Sequence, residues 1–248
     1  MRQTGKIVIN KLEKIKTPTN RTGGQVPITK CQVVEFLLIS LNRLLMGFVT
    51  LYVCWMCLRL SIEEIPFHAV FCTIGFVCLM SEGLMAYYRA NARTKLCDRS
   101  QKTKTHWILQ LCGSVLGLIG VAIKIWIEDT HFHSIHGIVG LIASILLLFS
   151  LLSGLSALYA HEMKKVVQPM LTKTLHSVWG LLTYTAMMLS MFTAFDTNIF
   201  IEYSLDAATY NDFKWLIQIS IAAIWLLTIY GPIWCLVYTK LWRSSSCC

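Results

Sequence analysis

Charge is scarce in this chain. Only 14% of its 248 residues are charged and 55% are hydrophobic, whereas soluble domains carry about 25% charged residues. With a mean hydropathy of +0.58, this scarcity excludes an ordinary soluble domain and places the chain in the membrane class. Acidic residues are the rarer sign, 13 against 22 Lys and Arg. The resulting net charge of +9 does not point to nucleic acid. The basic residues cluster in short stretches between apolar runs, the pattern of cytoplasmic loops. No apolar core of a signal peptide occurs in the first 32 residues, which read as a flexible basic tail. No C-x-x-C-H motif occurs either, so covalent haem attachment is excluded.

The ten cysteines do not form a secreted disulfide framework. Most lie inside apolar runs (Cys54, Cys57, Cys72, Cys78, Cys112, Cys235), where cysteine acts as a small hydrophobe. Cys54-x-x-Cys57 has metal or redox spacing but no second half, and core packing is the simpler reading.

A spanning helix needs about 20 mostly apolar residues. Six segments qualify, at about 34–57, 66–88, 105–127, 136–159, 175–195 and 214–239. The connections are too short for a soluble domain. The expected architecture is an all-α, integral membrane six-helix bundle over 33–240, between the tail (1–32) and a short cysteine-terminated tail (241–248). The side that holds the N-terminus, side A, collects eighteen Lys and Arg, including the tail and the loops near 89–104 and 160–174. Side B collects three: Arg59, Lys124 and Lys214. Side A is therefore expected to be cytoplasmic, with both termini there. Side B holds most of the acids, namely Glu63, Glu64, Glu128, Asp129, Asp196, Glu202, Asp206 and Asp212.

Four histidines stand near the starts of four successive apolar segments: His68, His106, His136 and His176. An ionisable residue inside a bilayer is costly and usually functional. Because the helices alternate in direction, topology pairs His68 with His136 near side B and His106 with His176 near side A. Facing histidines on neighbouring helices can supply both axial ligands of a haem. The expectation is a four-helix di-haem core in helices two to five, with two non-covalent b haems roughly 20 Å apart along the normal. Phe71, Trp107, Phe149 and Trp179 are candidates to shorten the gap. Gly140 and Gly180 follow two of the histidines by four residues, on the same helix face. They permit a macrocycle to approach the backbone, or else serve helix packing. His131, His133 and His161 read as loop residues, with His131 or His133 a candidate to line a side-B mouth.

The stretches IPFHAVFCTIGFVCLMSEGLM, KTHWILQL, HFHSIHGIVGL and LHSVWGLLTY resemble the cytochrome b-561 transmembrane reductases, and in particular the short animal subgroup called cytochrome b-561 domain-containing proteins. Ala69 departs from the proline that many members carry after the first histidine. The resemblance implies two b haems, on His68 with His136 and on His106 with His176. It implies cytoplasmic ascorbate as electron donor, and monodehydroascorbate or ferric iron as acceptor on the opposite side. A basic residue two positions before the third-helix ligand helps bind ascorbate in the family; here that is Lys104, with Lys102 one turn away. Positive charge on side A suits an anionic donor.

Arg43 and Glu82 lie at similar depths inside helices one and two and are expected to pair, or Arg43 to meet a haem propionate. Lys124 is expected to snorkel to the side-B interface. Cys247 and Cys248 are candidates for lipidation. A homodimer remains an open oligomeric state. The competing function is a haem-free, histidine-dependent proton channel or transporter. Such proteins carry broken helices and polar groups near the midplane, whereas these helix centres are almost entirely apolar.

Overall fold

A computed structural model of the chain describes residues 30–59, 66–129, 131, 133–197 and 207–245. Among these residues six long helices follow one another: α1 (Lys30–Arg59), α2 (residues 66–85), α3 (Arg99–Ile127), α4 (Ile135–Leu158), α5 (Pro169–Ala194) and α6 (Ala207–Ser245). A short 3-10 turn, Glu162–Lys165, joins α4 to α5, and no strand occurs among the described residues. Five of the helices are long and apolar enough to cross a membrane. The remaining helix, α5, has a similar length of 26 residues but turns the polar residues Thr183, Tyr184 and Ser190 into the core. The chain is a helical, multi-pass membrane bundle. Residues 1–29 of the basic tail, the acids Glu63, Glu64, Glu202 and Asp206, and Cys247 and Cys248 fall outside the described residues, while residues 30–32 begin α1.

Apolarity locates the spans, but polar caps set the helix ends. Asp98 and Gln101 form a capping box, with the Gln101 N–H donating to Asp98 Oδ1 at 2.7 Å and the Asp98 N–H to Gln101 Oε1 at 3.0 Å. This starts α3 six residues before its apolar run. Pro169 stands at the first position of α5, where its missing N–H costs nothing, and α5 likewise starts before its apolar run. At the end of α2, side chains take over the freed carbonyls. Asn91 Nδ2 donates to the Met85 carbonyl and Thr94 Oγ1 to that of Ala86, both at 2.8 Å.

The helices pack as two antiparallel pairs, α2 with α3 and α4 with α5, while α1 and α6 pack on each other and against α2 and α5. Without a hydrophobic drive between helices in lipid, close approach through small residues matters most. A Cβ on Gly75 would stand 2.6 Å from the Gly113 carbonyl, and one on Gly117 would enter the Phe76 ring. The residues that α3 buries are Gly113, Ser114, Gly117 and Gly120. Along α2 the middle stretch, Thr73–Met80, is π-helical. The core between the pairs includes Val77, Met80, Leu147, Tyr184 and Met187.

Pro232 lies inside α6 and cannot donate to the carbonyl of Thr228. Tyr88 enters the gap this leaves. Its hydroxyl accepts the Gly231 N–H at 2.7 Å and points its own hydrogen at the carbonyls of Leu227 and Thr228, 3.1 and 3.2 Å away. Gly231 makes this possible, since a Cβ there would lie 2.6 Å from Tyr88 Cζ. Asn42 on α1 ties the same region together by donating to Thr228 Oγ1 at 2.9 Å.

The expected partnership of Arg43 and Glu82 is present. Arg43 Nε and Nη2 donate to the two Glu82 oxygens at 2.5 and 3.0 Å. Nη2 also reaches Asn91 Oδ1 at 2.9 Å. Lys124 pairs with Glu128 on the next turn, and Lys214 pairs with Asp196 at 2.5 Å.

Candidate functional site

Helix starts bring the four histidines to the ends of the bundle. Ser134 caps α4 by accepting the Gly137 N–H at 3.0 Å, which puts His136 in the first turn. His68 lies in the first turn of α2, and His106 and His176 each stand seven residues into their helices. The rings meet in the pairs that topology predicts. The centroids of His68 and His136 are 6.0 Å apart with planes at 72°. Those of His106 and His176 are 6.2 Å apart with planes at 78°. Metal–imidazole bonds of about 2.0 Å, with the ring radius behind each, put two axial imidazoles about 6 Å apart. Both pairs therefore have the separation that one metal between two rings requires.

The second nitrogen of each ring is engaged. His68 Nδ1 lies 2.9 Å from the Gly120 carbonyl, His106 Nδ1 2.9 Å from that of Gly83, and His136 Nδ1 2.9 Å from that of Ser190. A carbonyl can only accept, so each Nδ1 carries the proton and donates. His176 Nδ1 stands 3.3 Å from Ser153 Oγ. That hydroxyl gives its own hydrogen to the Ser150 carbonyl at 2.9 Å, and so accepts from the ring. All four rings are held in one tautomer, with the unprotonated Nε2 turned away from these contacts. Such outer hydrogen bonds orient a metal-binding imidazole and raise its basicity.

The acceptors obey a common register. Within each antiparallel pair, the histidine of one helix donates to a carbonyl of the other that lies fourteen residues beyond that helix's own histidine. This relates Gly120 to His106 and Ser190 to His176. Fourteen residues of α-helix rise about 21 Å, which is the axial separation of the two histidine levels. Only α2 departs, because Gly83 lies fifteen residues beyond His68. The π-helical stretch between them absorbs the additional residue.

A cavity of about 550 Å³ surrounds the side-B pair and opens between Lys124, Glu128, His131, His133 and Asp196. Its walls carry Gly140 and the fully buried Thr73. The Thr73 hydroxyl has no partner among the described residues, so the cavity offers a polar contact to whatever fills it. Apolar walls, two paired imidazoles and one orphaned hydroxyl are a donor set suited to a b-type haem.

The glycines singled out by sequence also serve the α4–α5 seam. A Cβ on Gly140 would meet Ser190 Oγ at 3.2 Å, and one on Gly180 would meet Ser150 Oγ at 3.9 Å. Gly154, which no spacing signal marks, leaves room for the His176 ring, 3.1 Å from where its Cβ would be. His131 lines the side-B mouth and donates from Nε2 to the Ile125 carbonyl at 2.8 Å. His133 is exposed at the same mouth, and His161 is exposed on side A. Lys104 is exposed and Lys102 half-buried, both ahead of His106 on α3. Beside His106 stands Tyr87, with ring centroids 5.4 Å apart.

Of the four candidate aromatics, Phe149 and Trp179 stack on each other at 6.1 Å, Phe71 packs against Phe67 at 6.0 Å, and Trp107 is 42% exposed. Phe149 and Trp179 are 53% and 38% exposed, so none of these rings belongs to the buried core between the levels. Cys54 and Cys57 are free thiols on α1, Cys57 buried in the core and Cys54 half-buried. No group of metal-binding His, Cys, Asp and Glu beyond these pairs is found among the described residues.

A family model described as eukaryotic cytochrome b561 matches residues 67–201. The matched region contains all four histidines and more than half of the chain. A comparison with curated proteins finds no match.

Proposed function

The chain belongs to the eukaryotic cytochrome b561 family, whose members transfer electrons across membranes with haem b, and from that premise we propose that it is an ascorbate-dependent transmembrane reductase. In this reading electrons pass from cytoplasmic ascorbate on side A to monodehydroascorbate or ferric iron on side B. Two non-covalent b haems, one at His106 and His176 and one at His68 and His136, would each supply a one-electron iron couple. The observation that carries the reading is the pair of imidazole couples, each with ring centroids near 6 Å and each Nδ1 committed to an acceptor.

The chain's own residues divide the remaining work. The four Nδ1–H donors hold their rings in place and leave Nε2 for iron. The glycine contacts of α2 with α3 and the seam of α4 with α5 fix the spacing of the four helices. The packed core between the levels pairs its buried hydroxyls, Ser81 with Tyr184 at 2.7 Å, and disfavours ions there. Lys104 and Lys102 draw an anionic donor to the side-A end. Lys124 with Glu128 and Lys214 with Asp196 leave the side-B mouth without excess positive charge, which favours a ferric acceptor there over an anion.

The test is ascorbate-driven reduction of a ferric chelate by the purified protein in oriented vesicles, with donor and acceptor on opposite sides. The reading requires reduction that depends on ascorbate at side A. Lys104→Gln should raise the half-saturating ascorbate concentration about two- to fivefold, the worth of one exposed charge, with the haem spectrum unchanged. Reduction that needs both reactants on one side would overturn the proposal.

A further inference from the structure

A second cavity, of about 350 Å³, lies on the side-A end of the α2–α3 seam, beside the backbone that carries His106. Its lining includes Glu82, Asn91, Arg93, Thr105, Ile108 and Leu109, and neither His106 nor His176. Its charges do not balance. The Glu82 carboxylate takes both of its close donors from Arg43, and Arg93 Nη1 stands only 3.6 Å from it with 69% of its side chain exposed. One carboxylate thus faces two guanidinium groups, and Arg93 is the loosely held one. Its backbone is fixed, since the Arg93 N–H donates to Asn91 Oδ1 at 3.0 Å and Asn91 is itself buried.

Below this cationic rim the wall is apolar. Ile108, Leu111, Val115 and Ile119 form one face of α3 that runs from the cavity toward the membrane centre, each 45–49% exposed. The loop above exposes Leu96 to 92% between the basic residues Arg93, Lys95 and Arg99. An apolar side chain fully exposed on a cationic loop next to a bilayer is an interfacial anchor. Basic pockets between transmembrane helices on this kind of face bind phospholipid headgroups.

We propose that this cavity is a binding site for an anionic phospholipid, with the phosphate headgroup on Arg93 and an acyl chain along Ile108, Leu111 and Val115. The inference does not depend on the electron-transfer reading. A lone anion would use the rim and ignore the apolar face, whereas a lipid uses both.

The test uses the haem-loaded protein in nanodiscs of equal parts phosphatidylcholine and phosphatidylserine, with bound lipid counted by native mass spectrometry. The wild type should retain phosphatidylserine over phosphatidylcholine. Arg93→Gln should cut that retention about fivefold, the worth of one interfacial cation, while Lys165→Gln, which removes a charge elsewhere on side A, should not. Ile108→Ser, which keeps Arg93 but removes the apolar wall, should also lose lipid. It covers the case in which Arg93→Gln disturbs folding. Equal losses for Arg93→Gln and Lys165→Gln would reduce the effect to surface attraction and overturn the site. So would unchanged retention in Ile108→Ser, or displacement of the lipid by inorganic phosphate or ascorbate alone.

Discussion

His68 and Gly120 are joined by a hydrogen bond of 2.9 Å between an imidazole Nδ1–H and a backbone carbonyl. The acceptor lies on the helix antiparallel to the donor, so the contact both sets the tautomer and locks the register of α2 on α3. The same device recurs at His106 with Gly83 and at His136 with Ser190. Ligand chemistry and helix packing are therefore one problem in this protein.

Gly120 is the first place to test that coupling. A Cβ there would stand 3.0 Å from Cys72 Sγ, 3.1 Å from the His68 carbonyl and 3.1 Å from Phe71 Cβ. Gly120→Ala should push α2 from α3 next to His68 and destabilise the protein by about 1–3 kcal/mol, the usual cost of overpacking. Thermal unfolding should show the loss of stability, and haem spectroscopy should show the side-B signal weakened before the side-A signal.

The π-helical stretch makes a register prediction. The fifteen-residue spacing in α2 contains one residue more than the fourteen of α3 and α5. Deleting Ile74 from within Thr73–Met80 should return α2 to α-helical form with both histidine levels preserved, so haem content should survive. Deleting one residue between His106 and Gly120, where α3 has no residue to spare, should abolish the side-B pair. Equal damage from the two deletions would show that the π stretch does not compensate register.

Tyr88 substitutes for hydrogen bonds that Pro232 removes from α6. Tyr88→Phe should cost about 1–3 kcal/mol, because buried backbone groups lose their partner. Pro232→Ala restores an N–H that can reach the Thr228 carbonyl, so the double variant should recover part of that loss in a thermal unfolding cycle.

The Arg43–Glu82 pair is partly buried, with side chains 22% and 13% exposed. Removing one partner of a buried pair costs about 3–5 kcal/mol. Here Arg93 at 3.6 Å offers Glu82 a weak replacement, so Arg43→Gln should cost about 1–3 kcal/mol. The double variant with Glu82→Gln should be less destabilised than the sum of the singles.

Much of this arrangement was legible in the chain. Apolar length located six helices, and alternation alone paired the four histidines. Equal depth paired Arg43 with Glu82. What stayed hidden depends on backbone atoms or on distant partners. The carbonyls of Gly83, Gly120 and Ser190 leave no mark in side-chain patterns. The π stretch shows only as a one-residue difference in spacing, visible once the acceptors are known. Nothing in the sequence ties Pro232 of α6 to Tyr88, the group that fills the gap it leaves. The caps at Asp98 and Pro169 carry α3 and α5 beyond the apolar runs, so hydropathy placed their starts several residues late.

Haem stoichiometry in the ligand variants tests the central claim most directly. The purified wild type should carry two b haems per chain in a reduced-minus-oxidised spectrum calibrated for haem content. His68→Ala and His106→Ala should each carry one, spectrally distinct from the other, while His131→Ala should keep two. One haem per chain in the wild type, or two retained in His106→Ala, would contradict the assignment of His68 with His136 and His106 with His176.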